Sequence, residues 1–198
     1  MSNVSHITVD AAALQERDEF RADGWIKVIS PAKVNLHLAI GARRDDGYHE
    51  AATVMQALNL HDVLYVRRAC GPSSTCRMVS AADLTLPVIP PEENLATKAV
   101  AKLAEELDIS PQDALVDLRI EKNIPAQAGL GGGSSNAAAA LLGAAALWGI
   151  SAQHPTLEAT ARKLGADVAF FLRGGCGVYG DRGDALERTL APRKDALL

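Results

Sequence analysis

Cysteine is scarce in this chain of 198 residues, with only Cys70, Cys76 and Cys176 present. An odd, scattered set makes neither a disulfide framework nor a zinc-ligand pattern, and implies a reducing, cytoplasmic setting. Aromatic residues make up only 4% of the chain, too few for a base-stacking platform. Twenty basic against 24 acidic side chains give a formal charge of −4, with no block of either sign. Nucleic acid is therefore excluded as the main partner. The N-terminus lacks a basic-then-apolar leader, because Asp10, Glu16, Asp18 and Glu19 keep residues 1–23 polar; these read as a flexible arm. Residues 123–157 contain no Asp, Glu, Lys or Arg, yet their apolar part, 137–150, is fourteen residues long and half alanine. A bilayer span needs ~18–20 strongly apolar residues, so this stretch predicts a buried helix and a soluble protein. What the chain does have is 48% apolar residues, enough for a substantial core, which excludes wholesale disorder. Its length suits one large domain, or one domain and a fragment of another.

Periodicity predicts strands over 25–30 and 34–41. In the second, strict alternation puts Val34, Leu36, Leu38 and Ile40 on one face and Lys33, Asn35 and His37 on the other. Such a polar face lines a cleft or meets solvent, and the pattern leans to solvent. An Asp-Gly pair marks a turn near 43–48, with Arg43, Arg44, Asp45 and Asp46 as solvated charges. Residues 50–60 have helical propensity but a length that also suits a strand. Further strands are expected over 63–68, 75–80, 116–121, 176–179 and 185–190. Helices are expected over 93–107, where Leu95, Ala99, Val100, Leu103 and Leu107 recur at helical spacing, and over 134–148 and 156–164.

The most informative stretch is PAQAGLGGGSSN at 125–136, in which four of the chain's 16 glycines fall between 129 and 133. Glycine costs backbone entropy, and a cluster is tolerated where the chain turns sharply or lets a ligand approach its N–H groups. The loop runs into a helix through Ser134 and Ser135, read here as capping residues. A helix start offers unsatisfied N–H groups and the positive end of a dipole, and no acid lies in this loop to repel an anion. Phosphate is the fitting guest. It is not a Walker A loop, because no lysine follows Gly133. Nor is it a dinucleotide fingerprint, since Ser134 stands at the third small position and no acid follows about twenty residues on. His-Arg-Asp and Asp-Phe-Gly are also missing, which excludes the protein-kinase set.

Five segments in order, PAKVNLHL (31–38), DGYHE (46–50), PEENL (91–95), IPAQAGLGGGSSNAAAALL (124–142) and LGADVAFFL (164–172), resemble the GHMP kinase superfamily. The resemblance implies an α+β fold, a GHMP kinase N-terminal domain of the ribosomal-protein-S5 domain 2 type. It implies this domain over 24–192, a strand after His49, and in 193–198 the start of a C-terminal domain without counterpart here. It implies ATP as co-substrate with Mg2+, no metal ligands being assignable from these residues. Lys33 and Asp167 match the family's catalytic pair. Asn94, Leu95, Lys122, Pro125, Gly129, Leu130, Gly131, Gly132, Gly133, Ser134 and Ser135 match its ATP site. Asn35, Tyr48 and His49 match substrate contacts, the last two a pair that stacks on and hydrogen-bonds cytosine. The Pro-Ala-Lys-x-Asn start together with Asp-Gly-Tyr-His implies CDP-methylerythritol as the second substrate. Ala126 departs from the family's usual methionine or leucine after the loop proline.

The chemistry fits these residue types independently. Phosphoryl transfer to an alcohol needs the phosphates cradled, their charge offset and the hydroxyl aligned. A carboxylate such as Asp167 can accept the hydroxyl proton, and a lysine such as Lys33 can pair with it and offset charge on the moving group. Two alternatives stay open: a sibling kinase acting on homoserine, mevalonate or a sugar, and a non-catalytic nucleotide-binding module. Tyr48 and His49 separate the first alternative from the cytidine kinase. As an isolated half, the chain is expected to turn over weakly and to self-associate, as a homodimer for example, through apolar surface left bare.

Overall fold

The computed structural model describes residues 24–43, 49–80 and 84–193. The arm at 1–23, the turn charges Arg44, Asp45 and Asp46, Tyr48, and residues 194–198 lie outside them.

Six strands, β1 (Ile26–Arg43), β2 (His49–Arg68), β3 (Thr75–Ser80), β4 (Val116–Lys122), β5 (Cys176–Gly180) and β6 (Ala185–Leu190), form one sheet in the described residues. Its order is β3-β4-β2-β5-β6, with β1 on the other side of β2; every pair is antiparallel except β3 with β4. Four helices accompany it: α1 (Leu95–Glu106), α2 (Gly132–Leu147), α3 (Pro155–Leu164) and α4 (Ala166–Arg173). The α2 helix packs on β1 and β2, while α1 and α4 pack on α2. This is the α+β architecture that the family resemblance implied.

Residues 50–60 belong to a strand, which overturns their helical propensity. β2 is the spine of the sheet, paired with β1 along one edge and with β5 and β4 along the other. Its Met55 and Ala57, then Leu64 and Val66, are buried in the clusters that α2 completes. Cross-strand pairing and burial decide such a segment, and local propensity is the weaker term.

The two strands expected over 25–30 and 34–41 are one strand with irregularities between Pro31 and Lys33 and between Asn35 and His37. Directly opposed residues share a face. Val28 and Ser30 oppose Leu64 and Asp62, Lys33 and Asn35 oppose Ala57 and Met55, and Leu38 opposes Thr53. The helix-side positions therefore step 28, 30, 33, 35, 38 instead of by twos. Strict alternation fails here, because each irregularity changes the face that the following residues occupy. Lys33 is only 6% exposed, against the solvated reading of its face, whereas Leu38 and Ile40 are 55% and 66% exposed.

Alanines dominate α2 because it lies at the centre, with buried residues all round its circumference. Gly143 marks the tightest point, where an added Cβ would collide with Val66 Cγ1 and come within 3.3 Å of Val28 Cγ2. Gly143→Val is expected to cost about 1–3 kcal/mol by overpacking. Thermal denaturation followed by circular dichroism checks this; an unchanged midpoint would mean that the strands give way freely.

The start of α2 differs from expectation. Gly131, not a serine, is its N-cap, in a left-handed conformation with φ 72° and no side-chain cap. The loop's tight turn brings the helix in two residues earlier than the serines suggested. At α1, Asn94 caps the helix by accepting a hydrogen bond from the Ala96 N–H at 3.0 Å, so the helix begins at Leu95. The short α4 was not anticipated. Its Val168, Ala169, Phe170 and Phe171 are buried, with Phe170 edge-on to Phe171 and to Tyr179 at centroid separations of 5.1 and 5.5 Å. Burial pushes the Tyr179 hydroxyl up to about 12, so it serves as a neutral core ring.

Candidate active site

The loop between β4 and α2 borders a cavity of about 630 Å³. The lining includes Asn94, Leu95, Lys122, Pro125 and residues 129–134, so every residue matched to an ATP site except Ser135 faces one space. Met78, Leu86, Pro87 and Ile89 add an apolar wall that the sequence reading missed. The same lining thus combines apolar side chains, which suit a planar base, with the backbone of the glycine loop.

Those amides belong to the first turn of α2. The first bond within that turn runs from the Ser135 N–H to the Gly131 carbonyl at 2.9 Å. Helix geometry leaves Gly132, Gly133 and Ser134 without intrahelical acceptors for their N–H groups, and α2 carries no acid in its first turn. Gly131 and Gly132 are fixed by their surroundings. A Cβ at Gly131 would meet Phe171 Cε2 at 2.9 Å and Lys33 Cγ at 3.1 Å, on a backbone of positive φ. One at Gly132 would meet Ile124 Cγ2 at 3.1 Å and the Lys122 ammonium at 3.2 Å.

Beside the loop stand Lys33 and Asp167. The Lys33 N–H donates to the Leu130 carbonyl at 2.9 Å, and the stem of its side chain rests near Gly131. Its Nζ donates to Asn35 Oδ1 at 2.6 Å and lies 3.4 Å from Asp167 Oδ2. Asn35 in turn donates to Thr53 Oγ1 at 2.8 Å, and that hydroxyl donates to the His37 carbonyl. The lysine is thus oriented by a relay along β1 and β2, and it presents a buried ammonium to a carboxylate 37% exposed. Asp167 sits in the first turn of α4, where the helix dipole favours an anion. An accessible carboxylate, a positioned cation and a row of free amides are what phosphoryl transfer to a hydroxyl requires.

Other matched residues have different placements. Ser135 is fully buried behind the loop, with its Oγ accepting from Ser30 Oγ at 2.9 Å. Asn94 uses its carbonyl to cap α1 and points its amide at Met78 Sδ, 3.7 Å away. Asn35 lies beside Lys33, while His49 opens β2 opposite Arg43. Burial raises the pKa of the Cys76 and Cys176 thiols, which disfavours their nucleophilic thiolate form. Sequence reasoning also missed Asp62, Asn136 and Ser30, a buried polar set beneath the loop. A lone acid inside an apolar strand was the available sign. Among the described residues no helix is long and apolar enough to cross a membrane.

Residues 94–175 match the family described as the GHMP kinases N terminal domain. The 4-diphosphocytidyl-2-C-methyl-D-erythritol kinase of Salinispora tropica is 41% identical over 177 residues, covering 89% of this chain and 54% of that protein. Its namesake from Rhodococcus jostii is 44% identical over 167 residues, covering 84% and 51%. A crystal structure of 4-(cytidine 5'-diphospho)-2C-methyl-D-erythritol kinase superposes with a TM-score of 0.62 at 38% identity, covering 84% of this chain and 56% of that one. The chain spans about half the length of the curated relatives it matches. By family match, by identity and by fold, the chain carries the N-terminal domain of the GHMP kinase family.

Proposed function

We propose that this chain serves the ATP-dependent phosphorylation of the 2-hydroxyl of 4-diphosphocytidyl-2-C-methyl-D-erythritol, a step of isoprenoid synthesis. The observation that carries the reading is the Lys33–Asp167 pair abutting the glycine loop. The names and identities of the relatives support the choice of substrate.

In this reading the adenine lies against Met78, Leu86, Pro87 and Leu95, and the triphosphate follows the amides of Gly132, Gly133 and Ser134. The substrate hydroxyl meets Asp167, which accepts its proton as the oxygen bonds to the γ-phosphorus and the bond from that phosphorus to the β,γ-bridging oxygen breaks, releasing ADP. Lys33 stays paired with that carboxylate and offsets charge gathering on the transferred group. Mg2+ is commonly held by one or two carboxylates together with substrate phosphates and water. Glu93, in the cavity lining, and Asp167, paired with Lys33, are carboxylates of the kind that such an ion uses. No group of three or more His, Cys, Asp or Glu converges on a metal site among the described residues. Bound there, Mg2+ would neutralise phosphate charge.

The test is direct: the chain is incubated with γ-labelled ATP and the diphosphocytidyl alcohol, and labelled product is sought. Transfer to homoserine or mevalonate instead would move the assignment to a sibling kinase. Substrate choice rests on Tyr48 and His49. Base stacking on an aromatic ring is worth ~1–3 kcal/mol, so Tyr48→Ala is expected to raise the KM of the cytidine substrate roughly 5- to 150-fold. The KM for ATP should hold steady, and a rise in both would contradict the placement.

A further inference from the structure

Asp62 is a carboxylate with no exposed surface, in the middle of β2, and the chemistry just described does not use it. Its Oδ1 accepts from the N–H groups of Asn123 and Ile124 at 2.7 and 2.8 Å. Its Oδ2 accepts from Asn136 Nδ2 at 2.9 Å and from the Lys122 ammonium. Lys122 also donates to Asn136 Oδ1 at 3.0 Å. Asn136 completes its bonds on Ser30 Oγ at 2.8 Å.

Two consequences follow from this connectivity. Ile124 immediately precedes the glycine loop and Asn136 follows it, so one carboxylate grips both ends of the loop and sets its span. The same carboxylate holds the ammonium of Lys122, which lines the cavity and lies 3.2 Å from the Cβ position of Gly132. A buried ion pair is a poor stabilising device, because desolvation offsets its attraction and apolar residues of equal volume often serve stability as well. Placing a cation at one point of a cavity is something apolar residues cannot do.

We propose that Asp62 is a positioning residue of the nucleotide site. It fixes the Lys122 ammonium beneath the phosphate-binding turn and pins the loop, so triphosphate affinity depends on a carboxylate that never touches the nucleotide. This rests on the reading that the loop holds ATP.

Isothermal titration calorimetry with ATP and with adenosine tests it on the chain itself, Asp62→Asn, Lys122→Met and the double variant. Asp62→Asn is expected to raise the Kd for ATP at least about tenfold and to leave adenosine within about twofold. A purely structural role would weaken both ligands together. Because part of the effect of Asp62 runs through Lys122, the double variant should lose less than the sum of the two single losses. Undiminished ATP affinity in Asp62→Asn, equal losses for ATP and adenosine, or additive losses would overturn the proposal. Should Asp62→Asn not fold, Asp62→Leu/Lys122→Met removes both charges at once. Selective loss of ATP in that variant supports the assignment, and wild-type ATP affinity overturns it. Failure of the unmodified chain to bind ATP would instead strike the loop reading itself, and this proposal with it.

Discussion

Replacing Asp167 by asparagine is expected to lower kcat for phosphoryl transfer by roughly 10²–10⁴-fold, the usual worth of general-base assistance. The amide keeps the size of the side chain and can still accept a hydrogen bond, but it cannot take the hydroxyl proton. The KM values should move little, because the carboxylate acts in the transition state and the loop and cavity that hold ATP are left untouched. Stability should also change little. Asp167 is partly exposed and its place in the first turn of α4 is worth only ~0.3–1 kcal/mol. Steady-state kinetics with γ-labelled ATP give the answer, and a variant with wild-type kcat would reduce Asp167 to a favourable helix-start residue.

The second large effect is expected at Gly132. Valine there puts its Cβ within 3.1 Å of Ile124 and 3.2 Å of the Lys122 ammonium, and its two methyl groups need room beyond that. Lys122 must move off Asp62 and Asn136, or the first turn of α2 must shift, and each alternative spoils the phosphate site. ATP affinity is expected to fall at least about a hundredfold while the circular dichroism spectrum is kept. Gly71 offers a control, since a Cβ there meets nothing within 4 Å, and Gly71→Ala should bind ATP as the parent does. Equal affinity in Gly132→Val would remove the phosphates from this turn.

These effects trace to residues of very different legibility. The glycine cluster is plain in the sequence because an anion-binding turn must be built from residues without side chains, and such residues stand out by composition alone. The pairing of Lys33 with Asp167 spans most of the domain. No local pattern joins them, and only resemblance to a family brought them together. Residues 50–60 misled propensity, because their state is fixed by partners on both edges of β2 that lie far off in the chain. The irregularities in β1 are likewise invisible to period counting, yet they turn Lys33 inward. Asp62 carries no local pattern that marks it. Its importance comes from bonds to residues about sixty and seventy positions away, the first at Lys122 and the second at Asn136. The short α4 escaped because eight residues scarcely exceed two helical turns, too few to establish a period.

Nucleotide phosphates are expected on the amides at the start of α2. Hydrogen–deuterium exchange of this chain with and without saturating ATP tests it most directly, since it reads those N–H groups themselves. Slowed exchange is expected at residues 129–134 on adding ATP, with no comparable protection there on adding adenosine. Saturable ATP binding that leaves the exchange of residues 129–134 unchanged would contradict it.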